Sequence, residues 1–160
     1  MNMHVAMGAD DAGYPLKEVI RRFLEERHID VVDFGIETPR PIDYPDIGFP
    51  VAEAIAQGQY DRGILICGTG IGMSITANKV VGVRAALCHD VYSAERARKS
   101  NDAQILTMGA RIIGPELAKT VVAAWLASEF EGGRSLRKVQ KIMKGDCLRQ
   151  GETTHEKTAQ

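Results

Sequence analysis

The stretch Cys67-Gly68-Thr69-Gly70-Ile71-Gly72-Met73-Ser74 concentrates more chemistry than any other part of the chain. Three glycines at alternate positions let the backbone curl until several N–H groups face one point, and a helix opening behind the turn adds the positive end of its dipole. Such a turn stabilises an anion, either a bound phosphate or an oxyanion formed during reaction. Cys67 stands immediately before it, where a helix N-terminus favours a thiolate. A thiolate base beside a ring of main-chain donors is one reading, and a packed core cysteine is the other. The glycine spacing is GxGxG, not the GxGxxG of dinucleotide-binding turns, and the loop lacks the Gly-Lys-Ser/Thr ending of a Walker loop. Asp90 falls at roughly the distance of a ribose-binding carboxylate, with nothing further to support that role.

The elements that must position this turn alternate between short apolar runs and amphipathic stretches. His4 to Gly8 reads as a first strand. A helix follows from Pro15, with Leu16, Val19, Ile20, Phe23 and Leu24 on one side and Lys17, Glu18, Arg21, Arg22, Glu25 and Glu26 on the other. Asp30 to Gly35 is a second strand, residues 36–45 with three prolines a loop, and Asp46 to Gln57 a helix. Arg62 to Cys67 is a third strand, apolar enough to be buried on both faces. The glycine turn opens a helix through Ala77, Val83 to Cys88 is a fourth strand, and Val91 to Ser100 a polar helix. Gln104 to Met108 is a fifth strand, Pro115 to Ser128 an apolar helix ended by Gly132 and Gly133, and Ser135 to Met143 a last helix.

This alternation specifies an α/β sandwich built on a parallel sheet of about five strands, one domain over residues 1–149 with a disordered tail at 150–160. Ligands of such sheets gather beyond the carboxyl ends of the strands. The residues to watch are therefore Asp10 and Asp11, Gly35, Cys67 to Gly72, His89 and Asp90, and Gly109 to Arg111.

The 160 residues carry a formal net charge of -1, which gives no global field for nucleic acid or an anionic membrane but leaves room for a small anion held by local arginines. No apolar stretch is long enough to span a bilayer, and no leader is evident, so a cytoplasmic location is expected. Three widely spaced cysteines without a CxxC pair argue against a disulfide framework or a zinc site and fit a reducing compartment. Cys88 reads as core and Cys147 as incidental, while His4, His28 and His155 have no evident chemical company.

The segments GILICGTGIG (63–72), ANK (77–79), GVRAAL (82–87), YSAERAR (92–98), ND (101–102) and MGARIIG (108–114) resemble, in order and spacing, the family of type B ribose-5-phosphate isomerases and galactose-6-phosphate isomerase subunits. GADDAG (8–13), DYP (43–45) and EGGR (131–134) extend the resemblance to about residue 145. It implies a Rossmann-like three-layer α/β/α sandwich with a five-stranded parallel sheet. It also implies a homodimer or homotetramer with active sites between subunits, and aldose–ketose isomerisation through a cis-enediolate without metal or organic cofactor, as in pentose phosphate metabolism. The resemblance makes Cys67 the base; a second branch of the family uses a glutamate near the position held here by Met73. Thr69 would meet the substrate carbonyl or orient the thiolate, and Gly68, Gly70, Gly72 and Ser74 would supply donors. Asp10 and Asn101 match residues that bind sugar hydroxyls, and Tyr44 one that lines the cleft. A helix cap is the competing reading of Asp10, and Asn101 reads equally as a turn residue. Arg134 matches a phosphate-binding arginine; a second such arginine aligns with Lys138, next to Arg137, and Arg111 is a further candidate. Arg137 and Lys138 otherwise read as a solvated helix face.

Two positions depart from the family pattern. Asp11 and Ser100 stand where histidines associated with phosphate contact and furanose opening often occur. A tetrose 4-phosphate cannot close a furanose, because its O4 carries the phosphate, so an enzyme for that substrate needs no ring-opening acid–base group. The default pair is D-ribose 5-phosphate and D-ribulose 5-phosphate, and the rival is D-erythrulose 4-phosphate with D-erythrose 4-phosphate. His89 is either a surface histidine or the substitute for the missing group. A non-catalytic sugar-phosphate-binding module, or one subunit of a heteromeric isomerase, are the readings from other classes.

Overall fold

The computed structural model describes residues 3–156, with side chains to residue 148. In chain order its elements are β1 (His4–Ala9), α1 (Tyr14–Glu25), β2 (Asp30–Asp33), α2 (Tyr44–Ala56), β3 (Arg62–Cys67) and α3 (Ile71–Asn78). They continue with β4 (Ala85–Leu87), α4 (Val91–Lys99), β5 (Ile105–Gly109), α5 (Pro115–Leu126) and α6 (Gly133–Glu156). The five strands form one parallel sheet in the order β2-β1-β3-β5-β4, which is the fold class the sequence specified.

The period of two along each strand sorts side chains into two cores. Val5, Met7, Ala9, Ile64, Ile66, Leu106 and Met108 point to one face, where α1, α4 and α5 cover them with Leu16, Ile20, Ala94, Ala97, Val121 and the fully buried Trp125. Ala6, Leu65, Cys67 and Ile105 point to the other, under Ile47, Val51, Ile55, Met73 and Ala77 of α2 and α3. Between β1 and β3 the strand order reverses. Their carboxyl ends, at Ala9 and Cys67, open a crevice of the kind where such sheets hold ligands.

Three expectations change. Lys17, placed by helical spacing on the outer side of α1, is fully buried. Its Nζ meets Asp33 Oδ2 at 2.5 Å and the Ile36 carbonyl at 3.1 Å. A charge this deep needs a partner, and here it ties α1 to the loop after β2 on the carboxyl side of the sheet. The fourth strand is three residues, shorter than Val83 to Cys88. The last helix runs to Glu156, so the expected tail begins inside it, and residues 157–160 lie outside the described ones. Met143, at the predicted end of that helix, meets Arg84, and Asp146 beyond it accepts from the Gly82 N–H.

Candidate active site

The glycine turn leaves β3 and enters α3 over three residues, Gly68, Thr69 and Gly70. Gly70, the N-cap of α3, has φ +77, and a Cβ there would sit 2.7 Å from the Met108 carbonyl carbon. Its carbonyl accepts from Thr107 Oγ1 at 3.1 Å, a buried side chain of β5 that sequence reasoning overlooked because a strand threonine reads as ordinary packing. Gly70→Ala would place a side chain in left-handed backbone and against fixed main chain. It is expected to cost about 2 kcal/mol or more, read as a lower denaturation midpoint.

Cys67 Sγ accepts from the Gly70 N–H at 3.1 Å, so the sulfur turns into the loop and toward the head of α3. The residue is 4% exposed and packs beside Ile47, Val51 and Met73. Thr69 next to it is exposed, and its Oγ1 accepts from the Ile71 N–H at 3.3 Å, which leaves the hydroxyl hydrogen free to donate outward. A Cβ on Gly72 would lie 2.6 Å from the Tyr44 ring, so only glycine lets Tyr44 lie over the turn. Ser74 follows one turn into α3, half-buried, with its N–H given to the Gly70 carbonyl.

The end of β1 abuts this turn. Asp10 Oδ1 accepts from the Gly13 N–H at 2.8 Å, which closes the turn before α1; the N-cap of that helix is Gly13, with no side-chain cap. Burial pushes the carboxyl above its ordinary value of 3.8, opposed by the Gly13 N–H and more weakly by Arg111. The native state therefore holds the proton more tightly than the unfolded chain, and stability falls as pH rises through the interval above 3.8. Asp10→Asn, whose amide oxygen can keep the Gly13 contact, is expected to melt higher than the parent at pH 7, with the difference vanishing in acid. Arg111 lies with its guanidinium against Gly68, close enough that a Cβ on Gly68 would be 3.1 Å from Nη1. Asp11 is exposed beside Asp10.

His89 is neither a free surface residue nor a free acid–base group. Its Nε2 accepts from the Gly109 N–H at 2.8 Å, which puts the neutral ring's proton on Nδ1, and burial lowers its proton affinity. Asp90 caps α4 by accepting from the Ser93 N–H at 2.7 Å, which disposes of the ribose role. Cys88 is core as expected, and burial pushes its thiol up to about 11.

The remaining predicted residues gather elsewhere. Ser100 and Asn101 follow α4, which runs back from the carboxyl edge of the sheet, and they precede Ile105, the first residue of β5. Ile105 pairs with Gly63, four residues before Cys67, so roughly 13 Å of strand separates the two levels. Arg84, also at the amino edge, donates through Nε to the Asn101 carbonyl at 3.1 Å. There Ser100 lines a cleft of about 720 Å³ with Arg96, Arg134, Ser135, Arg137 and Lys138. The structure thus assembles Cys67, Thr69, Gly68, Gly70, Gly72, Ser74, Tyr44, Asp10, Asp11 and Arg111 at one edge, and Ser100, Arg134, Arg137 and Lys138, with Asn101 beside them, at the other. Arg96 also lines this cleft, a position that sequence reasoning did not select. Among the described residues no three His, Cys, Asp or Glu side chains converge as metal ligands, and no helix is long and apolar enough to cross a membrane.

A Rossmann-like parallel sheet with a thiol and an amide-rich turn at its switch point, and a cationic cleft apart from them, defines an enzyme of small anionic substrates. A family model described as Ribose/Galactose Isomerase matches residues 5–142, and the chain belongs to that family. It is 54% identical over 142 residues to the D-erythrulose-4-phosphate isomerase of Pectobacterium atrosepticum, covering 88% of this chain and 93% of that one. It is 56% identical over 137 residues to the ribose-5-P isomerase B of Listeria innocua, covering 86% and 93%. Among solved structures, Clostridium thermocellum ribose-5-phosphate isomerase B superposes with a TM-score of 0.90 at 48% identity, over 92% of this chain and 99% of that one.

Proposed function

We propose that the chain interconverts an aldose phosphate and its ketose phosphate through a cis-enediolate, with Cys67 as the base and D-ribose 5-phosphate/D-ribulose 5-phosphate as the default pair. One observation carries this reading: the Cys67 sulfur sits 3.1 Å from the Gly70 N–H at the head of α3, in the same turn that presents main-chain donors. The thiolate takes the proton from C2 of the aldose, and the C–H electron pair forms the C1=C2 bond. The carbonyl pair moves onto O1, where the Thr69 hydroxyl or a main-chain N–H holds it. The O2 proton passes to O1, and the thiol returns its proton to C1, so no electrons leave the substrate. Asp10 and Tyr44 serve the sugar end.

Two copies complete each site in this reading. Ser100, Asn101 and Arg134 lie across the sheet from Cys67, and a five-carbon substrate is too short to round its edge. The exposed Ile71, Ile75, Leu87 and Tyr92, on α3, β4 and α4 beside the turn, supply an apolar face for the second copy. A cytoplasmic location goes with this reading, since Cys67, Cys88 and Cys147 are all unpaired thiols.

A four-carbon substrate is the second reading, favoured by the state of the three candidate ring-opening positions. Position 100 is serine, position 11 is an exposed carboxylate, and the His89 Nε2 is occupied by a backbone N–H. The names of the Pectobacterium and Listeria relatives divide between the two substrates. Assaying four-, five- and six-carbon sugar phosphates for aldose–ketose conversion decides. Higher kcat/KM on D-erythrulose 4-phosphate establishes the second reading, and a large preference for D-ribose 5-phosphate removes it. No turnover of any member of the panel by the unmodified protein, with ligand affinity kept in Cys67→Ser, returns the chain to a binding module.

A further inference from the structure

The cleft at the amino edge contains one cation that neither the motif pattern nor helix periodicity singles out. Arg96, in the last turn of α4, forks onto Ser100: Nε lies 3.0 Å and an Nη 2.5 Å from Ser100 Oγ. The carbonyl end of α4 favours a guanidinium at this place. The Ser100 N–H closes the same turn on the Arg96 carbonyl at 2.8 Å. A hydroxyl has two acceptor sites and one hydrogen. Both acceptor sites of Ser100 are taken by the fork, so its hydrogen must be donated, and no acceptor for it occurs among the described residues. Ser100 lines the cleft, as do Arg96, Arg134, Arg137 and Lys138, which gives four cations and no carboxylate in the lining. Glu131 meets Arg96 from outside at 3.5 Å and is the one carboxylate within ion-pair reach of any of the four among the described residues.

We infer that Arg96 and Ser100 act as one anion-binding pair that grips the phosphate of the substrate and sets which sugar phosphates are accepted. The pair presents a permanent positive charge and an aimed O–H donor, and it presents no proton acceptor. A phosphate dianion meets donors only, whereas a closed sugar ring finds no base at this end to open it. Open-chain sugar phosphates need no such base, so the arrangement favours them over ring-closed ones. This rests on the sugar-phosphate reading above and deepens it.

The test is Arg96→Met, with Ser100→Ala beside it, measured two ways. Calorimetric titration with inorganic phosphate reads the site without turnover, and KM and kcat on D-erythrulose 4-phosphate and D-ribose 5-phosphate read it in catalysis. Arg96→Met is expected to weaken phosphate binding by about tenfold to a hundredfold, the range of a charge-assisted hydrogen bond. The loss in turnover should fall on KM more than on kcat, and Arg96→Lys should recover only part of it. Ser100→Ala should weaken phosphate binding less, and adding it to Arg96→Met should cost almost nothing more. If both single variants bind phosphate within twofold of the parent, the inference fails. If Arg96→Met does not fold, Ser100→Ala alone decides, because it removes one hydroxyl from a half-buried site. If the parent binds phosphate and turns over no sugar phosphate, the isomerase reading fails while the titration still judges the pair.

Discussion

Cys67→Ser is expected to lower kcat for aldose–ketose conversion by about 10²- to 10⁴-fold, the usual contribution of a positioned general base. The replacement keeps the size of the side chain, and an Oγ can still accept from the Gly70 N–H that the sulfur now meets. What it removes is the thiol, since a serine hydroxyl is a far weaker acid and gives no comparable anion. The residue packs beside Ile47, Val51 and Met73, so a small loss of stability should accompany the change, a shift of about 2–4 °C in melting temperature for a chain of this length. Cys88→Ser is the matched control: that thiol is buried, held protonated with its ionisation near 11, and its replacement should leave turnover intact. Retention of more than a tenth of kcat in Cys67→Ser would place the base elsewhere in the crevice.

Mixing two inactive variants should restore activity. Cys67→Ser disables the carboxyl-edge half of a site and Arg134→Ala the amino-edge half, which the sheet keeps apart within one copy. If each working site combines one half from each of two copies, a mixed dimer holds one intact site and one doubly damaged site. Random reassembly makes half the dimers mixed, so co-refolded or co-expressed variants should recover about a quarter of the parent's turnover. The separate variants, and their mixture before exchange, should stay near background. No recovery after demonstrated exchange would mean that one copy supplies both halves.

Much of this could be read from the residues because the informative signals were local. Arg62 to Cys67 and the glycine turn fix their own conformations, by an apolar run in one case and by Gly70 at positive φ in the other. What escaped depended on neighbours distant in sequence. Lys17 has helical spacing appropriate to solvent, and only the approach of Asp33 and Ile36 explains its burial. Arg96 looks like one more charge on a polar helix until its reach to Ser100 is seen. His89 reads as a surface group, since nothing near it in sequence announces the Gly109 N–H. Residues 100 and 101 follow a helix rather than a strand, so the rule that ligands gather after strands could not place them at the opposite edge. Their connection to substrate entered through family resemblance alone.

The register of the central strand has a consequence for how the molecule comes into being. Val5 pairs with Arg62 and Gly63 with Ile105, so β3 meets both its neighbours only across long stretches of intervening chain. Closing such spans is entropically slow, and a nascent chain leaving the ribosome cannot finish the job early. The catalytic loop shares this delay, because the Gly70 carbonyl waits for Thr107 and the Cys67 and Gly68 carbonyls wait for Ala110 and Arg111. Until translation has passed Arg111, the edge of β3 that carries the thiol has no strand beside it and the loop carbonyls no donors.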